Sequence, residues 1–245
     1  MSRGKGIARS ATTLLWLAAC GPHASSPKLD GAPRPDSPAG DAAMRDVPQP
    51  YRHTILIDGV DDFTAAETFM TTSSPTFSAR VTWDDHYLYI GYSGPDLSTT
   101  TTDASTKWLF VALDTTAGGA TQSLTYNTQH ATFPSGFGAD FYARYKCDGT
   151  FTTLERYDTA SSTSWSTYAP APMTGQGGNY LEMAISLSQL GAGTQLGVVT
   201  WMINENNGVE SSYAGLYMDN FIDGYAADLQ LTKYLPVDFR STTPP

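Results

Sequence analysis

From residue 53 onward the chain alternates apolar and polar positions in short runs. Phe77, Ala79, Val81 and Trp83 are interleaved with Ser78, Arg80, Thr82 and Asp84, a period of two that predicts a half-buried strand. Asp84-Asp85 supplies a tight turn. Tyr87-Leu88-Tyr89-Ile90-Gly91-Tyr92 returns as the partner strand, with Leu88 and Ile90 toward the core and Tyr87 and Tyr89 on the other face. A third strand over 108–114 sets Leu109, Val111 and Leu113 on one face. Thr54-Ile55-Leu56-Ile57 reads as a short strand closed by Asp58-Gly59, a turn dipeptide. Further strands are expected over 121–128, 139–147, 150–157, 179–185, 196–204 and 227–232, with one helical turn over 186–190 stopped by Gly191. Turns spaced about 8–12 residues apart, with no helical pattern between the strands, predict an all-β, antiparallel β-sandwich of jelly-roll or immunoglobulin-like type. Trp83 and Trp201, the latter inside Val198-Val199-Thr200-Trp201-Met202-Ile203, read as core.

The pattern differs before residue 53. Arg3, Lys5 and Arg9 precede a short apolar run, Ala11 to Ala19, too short to span about 30 Å of hydrocarbon but suited to an export signal. The run ends Leu17-Ala18-Ala19-Cys20, which resembles the bacterial lipobox, whose cysteine is acylated and becomes the mature N-terminus. The other reading is a plain secretory peptide with an incidental cysteine. Residues 21–52 hold seven of the fifteen prolines and almost no large apolar side chain, so they cannot bury enough surface to offset ordering entropy. They read as an extended, disordered tether. The expected organisation is a signal peptide over 1–19, a lipidated Cys20 with a Pro-rich linker over 20–52, and a sandwich over 53–240. The protein is expected at the bacterial cell envelope, held to the membrane through the lipid.

Composition narrows the classes. Charged residues are 16% of the chain and the formal net charge is −10. Loss of residues 1–19 removes three cations and no acid, leaving 11 Lys+Arg against 24 Asp+Glu, a net of −13. Nucleic acid is disfavoured, because phosphate binding needs clustered cations. Attraction to anionic lipid is disfavoured for the same reason. With Cys20 acylated, Cys147 is left without a partner, so the fold stands on its core. Cys147 reads as a half-buried residue at a strand end. There is no G-x-S-x-G, H-E-x-x-H, phosphate loop or C-x-x-C, and His23, His53, His86 and His130 show no metal-ligand spacing. The expectation is a protein that is not an enzyme. Trp165 and Tyr168 lie among Ser and Thr just before Ala169-Pro170-Ala171-Pro172. They have few reasons to be buried and are the leading candidates for stacking a ligand ring, followed by Tyr213 and Tyr217.

Several phrases then fall in order: Ile55-Leu56-Ile57-Asp58-Gly59, Val81-Thr82-Trp83-Asp84-Asp85 with Tyr87-Leu88-Tyr89-Ile90, Leu113-Asp114-Thr115, Gly138-Ala139-Asp140-Phe141, and Leu181-Glu182-Met183-Ala184-Ile185-Ser186-Leu187 with Leu190-Gly191. Over about residues 54–232 this order resembles the family 9 carbohydrate-binding modules and their DOMON-like relatives, with Ser186 where the family has Pro. The resemblance implies an antiparallel sandwich and a polysaccharide or glycan partner. It also implies a clamp of two rings, one in the loop before the third strand and one behind an acidic, Gly-containing loop. Asn204-Glu205-Asn206-Asn207-Gly208 resembles that second loop, and Tyr213 stands near the family's Trp. The first loop, residues 93–106, has no aromatic; Trp108 is the nearest ring and lies in the strand. The resemblance further implies structural calcium, with Asp114, Asp140 and Glu182 as candidate ligands. Asp114 alternatively caps its turn by bonding local backbone. Some DOMON-like relatives hold haem, for which His86 and Met202 are conceivable ligands, although His86 also reads as a turn residue. The sequence therefore points first to a non-catalytic glycan binder, then to a structural or protein-interaction envelope lipoprotein that has lost its sugar site, and then to a haem-binding redox domain.

Overall fold

Two antiparallel sheets pack face to face, and the alternation of side chains along each strand decides what meets between them. The computed structural model describes residues 47–100, 103–160 and 164–245. The export segment, Cys20 and most of the tether lie outside the described residues.

The strands are β1 (Thr68–Met70), β2 (Ser78–Trp83), β3 (Tyr87–Ser93), β4 (Lys107–Asp114), β5 (His130–Thr132), β6 (Phe141–Lys146), β7 (Thr152–Asp158), β8 (Ser164–Thr167), β9 (Met173–Gly177), β10 (Tyr180–Ser186), β11 (Gln195–Asn204), β12 (Ser211–Tyr213), β13 (Gly224–Tyr225), β14 (Asp228–Gln230) and β15 (Leu235–Asp238). The smaller sheet has the order β1-β2-β3-β10-β9. The larger runs β13-β12-β11-β4-β6-β7-β8, with β15 pairing the first half of β11 beside β12 on its second half. The one helical turn, Leu187–Leu190, ends on Gly191 at φ 59°, the left-handed stop expected from the sequence. Among the described residues no helix is long and apolar enough to cross a membrane.

Register puts like with like. Val81 faces Ile90 and Trp83 faces Leu88 across β2 and β3, while Leu109 faces Met202 and Leu113 faces Val198 across β4 and β11. These residues, with Leu154, Leu181 and Met183, fill the space between the sheets. The expected half-buried strands are buried more deeply than alternation alone suggests, because both faces of β4 and β11 are covered. On the outer face of the larger sheet lie Trp108, Phe110, Tyr142, Trp201 and Ile203. They are roofed by Phe133, Phe137, Leu229 and Leu231, which come from the excursion between β4 and β6 and from the stretch around β14. A parallel pair, β5 with β14, ties these two covers together. Trp83 and Trp201 are core, as their positions in the pattern require.

Three expectations are corrected. Residues 54–57 join no ladder: Ile55 is buried because it caps Tyr89 and Ala184 on the outside of the smaller sheet. Residues 121–128 make only isolated bridges, such as Gln122 with Thr132, and serve as part of the outer cover. Cys147 is fully buried rather than half-buried, and burial pushes its thiol up to about 12, which leaves it unreactive.

The folded unit begins a few residues before 53. Tyr51 donates its N–H to Ser241 at 2.7 Å, packs edge-on against Trp83 and gives its hydroxyl to Glu67 at 2.8 Å. Burial alone would raise the Glu67 carboxyl, but it also accepts the Thr64 N–H and hydroxyl and meets His53 Nδ1 at 2.9 Å, so it is held below its ordinary range. Asp84 is similar: burial is outweighed by the His86 and Tyr87 N–H groups and the Tyr89 and Thr54 hydroxyls. Both carboxyls are lowered on folding, so their contribution is present above their ordinary values of 4.5 and 3.8 and is lost as the pH falls below them. Urea denaturation is expected to show stability falling from pH 6 to about pH 3, with a shallower fall in Asp84→Asn. An equal slope in that variant would contradict the assignment.

Candidate functional site

The ring positions on the larger sheet's outer face form a continuous row. Trp108 touches Phe110 (6.4 Å between centroids), Phe110 touches Tyr142 (5.4 Å), Tyr142 touches Trp165 (5.8 Å) and Trp165 touches Tyr157 (5.2 Å). The row starts deep in the second core and surfaces at the β7–β8 edge. Tyr157 and Trp165 are direct cross-strand partners, so they share a face. Both are half-buried.

Beside them runs the covering segment Ala120 to Thr125. Together they line a groove of about 350 Å³. Its polar edge is uncharged. Gln122 is anchored by its amide nitrogen near His130 and Thr132, each at 3.2 Å. Ser123 is committed to the backbone of Leu124 and Ala131. Thr121 and Thr125 are exposed. An aromatic floor with hydroxyl and amide groups at its rim is a chemistry that matches a pyranose, whose C–H face is apolar and whose edge is hydroxylated.

The other candidate rings are placed differently. Tyr168 falls an odd number of residues from Trp165 and packs to the inner side, against Phe141 (5.7 Å) and under the Arg156 guanidinium (5.6 Å). Trp165 and Tyr168 therefore do not form one exposed platform; period two sends them to opposite faces. Trp108 is 7% exposed and covered by Tyr126 and Phe151. Tyr217 meets Phe69 edge-on at 5.9 Å. Tyr213 packs edge-on against Phe77 at 5.4 Å, and burial together with the nearby Asp96 pushes its hydroxyl far up.

The two loops of the implied clamp do approach each other, since Asp96 and Asp103 lie within electrostatic reach of Tyr213. What they bring is not a pair of facing rings. Leu97 is fully buried there, and the buried Lys107 amine lies 3.1 Å from Asp103 and 3.7 Å from Asp96. Between these loops lie an apolar plug and an ion-paired lysine, not a ring-lined slot. The Asn204–Gly208 loop instead lines a hollow of about 710 Å³ with Thr106, Asn127 and Thr128. No ring lines it, so it offers hydrogen bonds without a stacking face. There Glu205 takes the Tyr126 hydroxyl, and its carboxyl is raised by burial and by the neighbouring Glu210 charge.

The three acids proposed as calcium ligands do not gather. Glu182 lies in the smaller sheet, where Oε1 accepts the N–H groups of Asp58 (2.5 Å) and Gly59 (2.6 Å). Asp140 accepts the N–H groups of Thr115 and Thr116 at 2.8 Å each, and both of their hydroxyls. Asp114 accepts the Gly138 N–H at 3.0 Å. These oxygens face donors, whereas a calcium site needs several oxygens turned to one point. No cluster of three His, Cys, Asp or Glu suited to a metal occurs among the described residues. The residues present do not fit the ion. Nor do the haem candidates meet a common cofactor position: Met202 is buried between the sheets, while His86 is exposed on the β2–β3 turn.

The chain is an all-β, two-sheet antiparallel sandwich with a groove floored by Trp165 and Tyr157 on its outer face. No family model matches it, and no curated protein matches it. Among solved structures it is similar to a carbohydrate binding module family 9 from Caldicellulosiruptor kristjanssonii in complex with cellotriose, at 16% identity and a TM-score of 0.41, covering 74% of this chain and 92% of that one.

Asp140 thus works as a clasp for the turn after β4. Asp140→Ala is expected to cost about 1–2 kcal/mol, because the part-buried N–H groups of Thr115 and Thr116 lose their charged acceptor. Urea titration measures the loss, and calcium is expected to leave the melting temperature of the wild type unchanged. A variant as stable as the wild type, or a marked rise with calcium, would count against this account.

Proposed function

We propose that the protein binds an uncharged glycan without transforming it, seating a sugar ring on Trp165 and Tyr157 in the groove at the β7–β8 edge. The observation that carries this reading is the pairing of a half-buried Trp–Tyr floor with the Thr121, Gln122 and Thr125 rim. Trp165 offers apolar area at low entropic cost, and the rim offers donors and acceptors to ring hydroxyls. The groove is small, so it suits one or two sugar units, and affinity for a long polymer comes from repeated engagement.

In this reading the acylated Cys20 tethers the domain to the cell envelope, supported by Leu17-Ala18-Ala19-Cys20 behind three cations. The acidic surface has no attraction for anionic lipid, so the lipid carries the attachment. Expression in a bacterial host is expected to yield protein that labels with a palmitate analogue and partitions with membranes, with both properties lost in Cys20→Ser. Unchanged partitioning of that variant would remove the anchor from the proposal.

The binding site is tested by affinity electrophoresis against a panel of neutral polysaccharides, with the full chain. Retardation is expected for at least one of them. Trp165→Ala is expected to weaken it roughly tenfold, the loss of about 1.4 kcal/mol, while the melting temperature reports that the sandwich persists. Tyr168→Ala, on the other face, is expected to retain full retardation. No retardation by any polymer, or an equal loss in both variants, would overturn the assignment.

A further inference from the structure

A third cleft, about 770 Å³, opens at the end of the larger sheet. The last residue of β4, the start of β11, the strand β15 and the turns at 115–118 and 136–138 form its walls. It differs from the Trp165 groove in being charged. Two carboxylates line it, Asp114 and Asp238, together with the rings of Phe137 and Tyr234.

The two carboxylates have different fates. Asp238 is already neutralised: Arg240 Nε and Nη2 lie 2.9 and 2.8 Å from its two oxygens, and Gln195 adds its amide at 2.9 Å. Asp114 is half-buried and accepts a single neutral hydrogen bond, the Gly138 N–H on Oδ2. No Lys, Arg or His among the described residues lies within ion-pair distance of it. Asp140 beside it adds a like charge rather than relief, and burial and that charge both lift the Asp114 carboxyl above its ordinary range. The ring pair is built to stay. Phe137 and Tyr234 stand 5.4 Å apart, and Gly197 leaves the room they need, since a Cβ there would come within 3.0 Å of Phe137 and 3.2 Å of Tyr234.

A half-buried carboxylate without a counter-charge, next to two aromatic rings, matches a cation on an apolar stem. A bare divalent ion would make no use of the rings and would want more oxygens than Asp114 and its neighbours can turn toward it. A neutral sugar would leave the charge uncompensated. An ammonium satisfies the carboxylate by a charge-assisted hydrogen bond, and its methylenes and positive charge both gain from the rings. We infer that this cleft binds an alkylammonium group, its cation on Asp114 and its carbon chain along the half-buried Tyr234, which the buried Phe137 backs. The net charge of −10 favours the approach of such a ligand.

The test is a titration of the full chain, isotopically labelled for amide NMR, with n-pentylammonium, with 1-pentanol as the uncharged isostere and with calcium chloride. Pentylammonium is expected to give saturable shifts at Thr115, Thr116, Gly118 and Gly138. Pentanol and calcium are expected to leave these amides in place. Asp114→Asn keeps an acceptor for the Gly138 N–H, so its spectrum should remain native, while the dissociation constant rises roughly tenfold or more. Trp165→Ala should bind pentylammonium like the wild type, which separates this cleft from the glycan groove. Equal shifts with pentanol, an unchanged dissociation constant in a natively folded Asp114→Asn, or calcium competing for the same amides would each overturn the inference.

Discussion

The larger sheet has two apolar faces, and the rest of the molecule is arranged to cover both. A sheet with one oily face can rest on a partner and leave its other side wet. β4 and β11 cannot, because Phe110, Ala112, Trp201 and Ile203 point away from the sandwich interior while Leu109, Val111, Val198 and Met202 point into it. The smaller sheet covers one side. The long excursion between β4 and β6, joined to the segment around β14, covers the other.

That second cover makes the clefts. Where it stops short of the sheet edge, the ring row continues past it, and Trp165 and Tyr157 emerge beside Ala120 to Thr125. Where it folds back toward the sandwich end, Asp140 clasps Thr115 and Thr116, and the turn stands over Asp114, Phe137 and Tyr234. Its packing there is tight: a Cβ on Gly138 would fall 1.6 Å from the Gly118 carbonyl oxygen, so only glycine lets the two turns touch. One groove is neutral and the other carries an uncompensated carboxylate. The two invite different chemistry although one segment of chain borders both, with Thr121 lining each.

The strands with strong alternation were legible in the sequence. Phe77 to Trp83, Leu88 and Ile90, and Leu109 to Leu113 all lie where a period of two places them. The short strands β1, β5, β8, β9, β12, β13 and β15 were not, because two to five residues are too few to establish a period, and their pairing depends on neighbours distant in the chain. Residues 54–57 show the converse. Apolar residues gather there because Ile55 caps the smaller sheet, not because its backbone joins a ladder. Among the site residues, Trp165 stood out from its polar surroundings, but its partner Tyr157 did not, since only the β7–β8 register makes them neighbours.

By itself the sequence determined the class of fold, the buried Trp83 and Trp201 and the acidic balance of charge, because these follow from local periodicity and from composition. It also carried the reading of an export segment and a lipidated cysteine. The tertiary structure decided which rings are available. Tyr168 and Tyr213 are as aromatic as Trp165, yet one turns inward against Phe141 and the other packs edge-on against Phe77. It also decided that Asp140 and Glu182 hold backbone N–H groups instead of meeting at a metal. The reason is common to both: a side chain's neighbours in a sandwich come from strands far apart in the chain, and no spacing along one strand encodes what arrives from another.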